Sequence, residues 1–113
     1  MAKDDYHVIV YQILAYLYTQ LKNGDAVDGD LLKHDSPYMG INETYWQYII
    51  LNMLEQGYVK GITAKKAWGE SVIISDLGNA QITPVGIEFL CDNSFLEKAK
   101  QFLKDTKAIV PFI

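Results

Sequence analysis

The sequence predicts an α+β fold: a winged helix-turn-helix of three helices and a β-hairpin wing, with two additional C-terminal helices. Three observations predict it. Asn42 to Gln56 reads as a capped amphipathic helix stopped by Gly57. Two runs rich in β-formers follow, Tyr58–Thr63 and Glu70–Ser75, joined by a lysine-bearing connection. Then Ile82-Thr83-Pro84-Val85-Gly86 opens another helix, with threonine as cap and proline at the first helical position.

Length and composition set the frame. A chain of 113 residues, half of them apolar, suits a single domain with one core. Residues 1–92 read as the core, 94–107 as an amphipathic helix and 108–113 as an apolar tail. The net charge is -4, and all ten basic residues are lysines. Residues 1–57 carry three lysines against eight acids, net -5, whereas residues 58–113 carry seven against six, net +1. Without arginine, the chain lacks the bidentate fork that reads guanine edges and clamps phosphate. A single cysteine, Cys91, rules out an intramolecular disulfide and suits a reducing cytoplasm. Met1-Ala2-Lys3-Asp4-Asp5 has acid where a signal peptide begins basic. The apolar run Val8–Leu21, broken by Gln12, Thr19 and Gln20, is too short and too polar to span a bilayer, so no membrane partner is expected.

The first helix should start at Asp4 or Asp5 and stop at Asn23-Gly24. Tyr6, Ile9, Val10, Ile13, Leu14, Leu17 and Leu21 make one core stripe. Val8, Tyr11, Ala15 and Tyr18 make a second, to be covered by the C-terminal helix or by a second copy of the chain. A short second helix is expected near Asp30–His34, closed by the Ser36-Pro37 turn. Asp25, Asp28 and Asp30 invite a calcium reading. It fails because Met39 stands where an EF-hand loop needs its final acid, so capping is the expected job.

In the third helix, Asn42 is the cap, and Trp46, Ile49, Ile50 and Met53 form the core face. The outer face presents Thr44, Gln47, Tyr48 and Leu51, with Glu55 at its end. In a winged helix this face enters the major groove. Gln47 would pair with adenine and Thr44 would meet a phosphate or a thymine methyl. Tyr48 and Leu51 look more like contact area for a protein. The wing, Ala64 to Gly69, offers Lys65, Lys66 and Trp68, with Lys60 on the strand before it. Those lysines would hold a phosphate backbone while Trp68 stacks; alternatively Trp68 folds back over the sheet edge at a solvated tip. Two wing lysines neutralise about two phosphates, which is little for tight duplex binding.

A short strand, Ala80–Ile82, precedes the Thr83-capped helix, where Gly86 allows close packing and Cys91 is expected as a small core residue. Ser94-Phe95-Leu96-Glu97 reads as a capping box. Phe95, Leu96, Ala99, Phe102, Leu103 and Thr106 then share one arc, with Lys98, Lys100, Lys104 and Lys107 on the solvated side. The tail, Ala108 to Ile113, is apolar enough that it must dock on the body or on a second subunit. No metal-ligand spacing, phosphate-binding glycine loop or nucleophile motif occurs. The reading is therefore non-enzymatic, with no cofactor and no metal.

Leu54-Glu55-Gln56-Gly57-Tyr58-Val59, then Ile82 to Leu90, then Asn93-Ser94 opening a lysine-rich helix, together resemble the YjcQ-like family of small bacterial and phage proteins. The resemblance covers about residues 5–110. It implies a winged-helix fold, a phage or prophage setting in Gram-positive bacteria, and for some members a structural, head-associated role in the phage. It implies no catalytic residue. Two functions from different classes follow. One is a protein-interaction module engaging a phage or host protein, or itself as a homodimer through the first helix or the tail. The other is a DNA-binding regulator that uses helix 42–56 and the wing lysines on duplex DNA. The acidic helical half and the missing arginines favour the first.

Overall fold

In the computed structural model of the chain, residues 2–66, 69 and 72–106 are described. They form α1 (Tyr6–Asn23), a 3-10 turn (Gly29–Leu32), α2 (Glu43–Glu55), β1 (Val59–Lys60), β2 (Thr63–Lys66), β3 (Val72–Ser75), a second 3-10 turn (Leu77–Asn79), β4 (Gln81–Ile82), α3 (Pro84–Asp92) and α4 (Ser94–Asp105). The class is α+β, with four α-helices and two small antiparallel sheets among the described residues.

The centre of the fold is α1. Every residue from Val8 to Leu17 is buried, as two apolar stripes on one helix require. α4 packs along α1, and α3, β4 and α2 also meet it. Val8, Tyr11 and Ala15 of the second stripe are thus buried within the chain itself. The stripes fade toward the C-terminus, where Leu21 is 50 % exposed. Gly24, at φ 71°, closes the helix and returns its N–H to the carbonyls of Gln20 and Leu21. Asp5 occupies the N-cap position without capping: its carboxylate accepts the Ala2 N–H at 2.8 Å instead.

The expected helix at Asp30–His34 is only the 3-10 turn. Its four residues are too few to repay helix nucleation, and local side-chain bonds compete with propagation. Asp28 accepts the Asp30 N–H, and the Ser36 hydroxyl donates to the Leu31 carbonyl while accepting from the Met39 N–H. Other elements hold this segment in place. The Tyr16 hydroxyl accepts from the Asp28 N–H at 2.9 Å, and the Tyr38 hydroxyl donates to the Gln12 carbonyl at 2.8 Å. The Trp46 indole donates to the Leu32 carbonyl at 2.8 Å.

α2 follows the sequence closely. The Asn42 side chain accepts from the Thr44 and Tyr45 N–H groups, and Trp46, Ile49, Ile50 and Met53 are buried. The strands differ from expectation. The run Tyr58–Thr63 is broken at Gly61, whose φ of 88° is left-handed and whose absent Cβ would overlap the Asn79 carbonyl. β1 consequently pairs with β4 (Val59↔Ile82), whereas β2 pairs with β3 from Thr63↔Ser75 to Lys66↔Val72. Ala64 to Lys66, expected as loop, are strand because the ladder extends that far.

At α3, the Thr83 hydroxyl accepts the Gly86 N–H at 3.0 Å and donates to the Gly57 carbonyl, with Pro84 in the first turn. Two expectations fail nearby. Cys91 is exposed, because the buried side of this short helix is Gly86 with Ile87, Phe89 and Leu90 half-buried beside it. The cap of α4 is Asn93, which accepts from the Phe95 and Leu96 N–H groups at 2.9 and 3.3 Å, so Ser94 is the first helical residue and not the cap. Leu96, Ala99 and Leu103 are buried as expected, but Phe95 and Thr106 are exposed. The apolar tail 108–113 lies outside the described residues, as do Lys107 and Trp68.

Candidate interaction surface

The residues expected on the outer face of α2 have separate fates. Thr44 is exposed in the first turn and Leu51 is half-buried. Gln47 is half-buried, and its side-chain amide donates to the Val72 carbonyl at 3.2 Å, binding α2 to β3. One of its two amide N–H groups is thereby committed within the fold. Tyr48 is 59 % exposed and meets the Tyr6 ring edge-on at 6.3 Å between centroids. Lys60, Lys65 and Lys66 are all exposed; Lys65 and Lys66 lie opposite Ile73 and Val72 in the hairpin. Lys60 belongs to the other sheet, opposite Gln81.

Tyr48 does not stand alone. Tyr6 continues edge-on into His7 at 5.3 Å, and His7 stacks on Phe95 at 4.8 Å with a 16° interplanar angle. Rings from α2, α1 and α4 thus form a chain whose two ends, Tyr48 and Phe95, are exposed. A second stack, Tyr58 on Phe89 at 4.3 Å, lines a shallow groove with Val85, Glu88 and Asp92. The Tyr6 phenol is raised above its usual value first by burial, then by the Tyr48 and Tyr58 hydroxyls. Tyr45, whose hydroxyl donates to the Asp4 carbonyl at 2.7 Å, is raised by burial and then by Asp4 and Asp5. The Tyr6 and Tyr45 phenols are thus held neutral, and the exposed rings present apolar faces with hydroxyl edges.

The rim is mostly acidic. Asp4 and Asp5 flank Tyr45, and Glu88 and Asp92 line the groove beside Phe89. Among the described residues the Lys98 ammonium faces these rings, 5.3 Å from the Phe95 centroid. Of the five large apolar side chains exposed among the described residues, Tyr48 and Phe95 end the ring chain and Val85 lines the Tyr58–Phe89 groove. Sequence reasoning assigned Tyr6 and Phe95 to the core and passed over His7, Tyr58 and Phe89 as contacts. The available signal was position: Tyr6, His7 and Phe95 all sit in first turns, at helix ends where an apolar stripe emerges from the core.

No group of three His, Cys, Asp or Glu side chains able to hold a metal occurs among the described residues. No helix among them is long and apolar enough to cross a membrane. Fold and surface together define a small α+β protein with aromatic rings exposed at its surface. The chain belongs to the YjcQ family, described as YjcQ protein, which matches residues 11–109 and so nearly the whole length. No curated protein and no solved structure matches the chain.

Proposed function

We propose that this chain is a non-catalytic protein-interaction module on a winged-helix-type scaffold, acting in a reducing cytoplasm in the phage or prophage setting its family resemblance implies. The observation that carries the reading is the ring chain Tyr48–Tyr6–His7–Phe95, exposed at both its ends, together with Val85 exposed in the Tyr58–Phe89 groove. Monomeric proteins rarely leave large apolar groups clustered unless a partner covers them, and tyrosine-rich faces with polar edges make good binding anchors. The acids at the rim suit a partner that surrounds an apolar anchor with basic groups.

The regulator reading draws on Lys60, Lys65 and Lys66, which are exposed and free of carboxylate partners among the described residues. Against it stand the commitment of Gln47 to the hairpin and the flanking acids Glu43 and Glu55. A head-associated structural role would use the same aromatic face.

Display selection of random peptides on the folded protein tests the proposal. Enriched peptides should combine an aromatic or aliphatic anchor with Lys or Arg, and should lose binding to Tyr48→Ser/Phe95→Ser. Peptides that bind that variant equally well would overturn the reading. Anisotropy with mixed duplex DNA at ~50 mM salt, where phosphate contacts are strongest, tests the alternative. Binding abolished by Lys65→Glu/Lys66→Glu would put the regulator first.

A further inference from the structure

The lysines of α4 read from sequence as a solvated face, but two of them share a concave wall. Lys100 and Lys104, one turn apart, line a groove of about 480 Å³ between α1 and α4, and Lys22 enters it from the last turn of α1. Among the described residues Lys33–Asp30 is the lysine–carboxylate ion pair, so none of the three groove lysines has a described carboxylate within pairing distance. The Lys22 ammonium lies instead 4.3 Å from the centroid of the Tyr18 ring. One acid, Glu97, lines the groove against three cations. In a protein of net charge -4 this is a local reversal of sign.

Helix dipoles account for Lys22 and Lys104, which stand in C-terminal turns. They do not account for Lys100, which lies mid-helix and is half-buried. Like charges one turn apart on a helix repel, and a bound anion between them relieves that repulsion. Lysine acts as a compact point charge, without arginine's planar fork, so separate lysines along one groove fit an extended anion charged at several points, such as a short phosphate chain, better than a single planar carboxylate. The volume falls within the range of small-ligand sites.

We infer that the α1–α4 groove binds a small polyvalent phosphate-type anion, held by Lys22, Lys100 and Lys104. The site is independent of the aromatic face, since neither Tyr48 nor Phe95 lines it.

The groove contains its own reporter. Cys91, the single cysteine of the chain, is exposed and lines it. Alkylation of the intact protein by neutral iodoacetamide is timed in pyrophosphate and in sodium sulfate at matched ionic strength. Pyrophosphate should slow the reaction severalfold in a saturable way, and sulfate should not. Lys100→Gln/Lys104→Gln should abolish the protection, and so should Lys22→Gln, which alters the other helix and serves as an independent arm if the double variant folds poorly. Circular dichroism checks that each variant is folded. The inference is overturned by an unprotected thiol in the intact protein, by equal protection from sulfate, or by protection that survives in a folded variant.

Discussion

Replacing Gly86 with alanine sets two effects of opposite sign against each other. Gly86 sits in the first turn of α3 and is buried. By helix propensity alone, Gly→Ala stabilises a helix by about 1 kcal/mol. Here the added methyl would fall on the Tyr58 carbonyl and lie 2.9 Å from Ile82 Cγ1. That carbonyl cannot easily retreat, because it accepts the Thr83 N–H at 3.0 Å while the Thr83 hydroxyl holds the neighbouring Gly57 carbonyl. Relieving the overlap must therefore displace α3 from β1 and β4, a form of overpacking that costs typically 1–3 kcal/mol and more against backbone. Sterics win, leaving a net loss of about 2 kcal/mol. At roughly 4–8 °C per kcal/mol for a domain of this size, Tm should fall by roughly 10 °C. Urea unfolding followed by circular dichroism measures the change, with Ser94→Ala as a nearby control. An unchanged or raised midpoint for Gly86→Ala would refute the close helix–strand contact on which the placement of α3 depends.

Trp46→Phe keeps most of the buried ring but leaves the Leu32 carbonyl without its indole donor, so a loss of about 1–2 kcal/mol is expected in the same unfolding assay. Asn93→Ala should cost about 1 kcal/mol by removing the cap of α4, and Ser94→Ala should cost little; the reverse order would restore Ser94 as the cap. Burial holds the Tyr38 phenol well above its usual 10.0, so the folded chain keeps a proton that the unfolded chain releases. Stability should consequently be flat on this account below pH 10 and decline as pH rises beyond it. Tyr38→Phe, compared with the intact chain by urea unfolding across that range, should show a shallower decline.

Elements whose ends are marked by one side chain were legible in the sequence. Asn42, Gly24 and the Thr83-Pro84 pair each satisfy or remove backbone groups locally, and the structure follows them. The core face of α2 was legible for the same kind of reason, since its period alone decides burial. What failed depended on distant partners. The break in the first strand is enforced by the approach of Asn79 to Gly61, which no local pattern encodes. The missing second helix reflects tertiary bonds from Tyr16, Tyr38 and Trp46 that stabilise a non-helical path. Two capping candidates stood side by side at Asn93-Ser94, and the capping-box pattern favoured the wrong one. At the surface, Tyr48 was identified as contact area from its position on α2. Phe95 was assigned inward because its spacing matches that of Leu96 and Ala99, whereas it lies at the edge of that arc and turns onto His7.

The segment between α1 and α2 is stitched to helices at three separate points, by the hydroxyls of Tyr16 and Tyr38 and by the indole of Trp46. Its shape rests on those helices as well as on its own Asp28 and Ser36 bonds. Such a loop detaches only when its anchors let go, so its slowest amides should exchange with deuterium on the timescale of the central helix and not on that of a free surface turn. A force that tilts α1 would then be felt in the backbone around Asp28 and Leu32 without passing through any helix of its own.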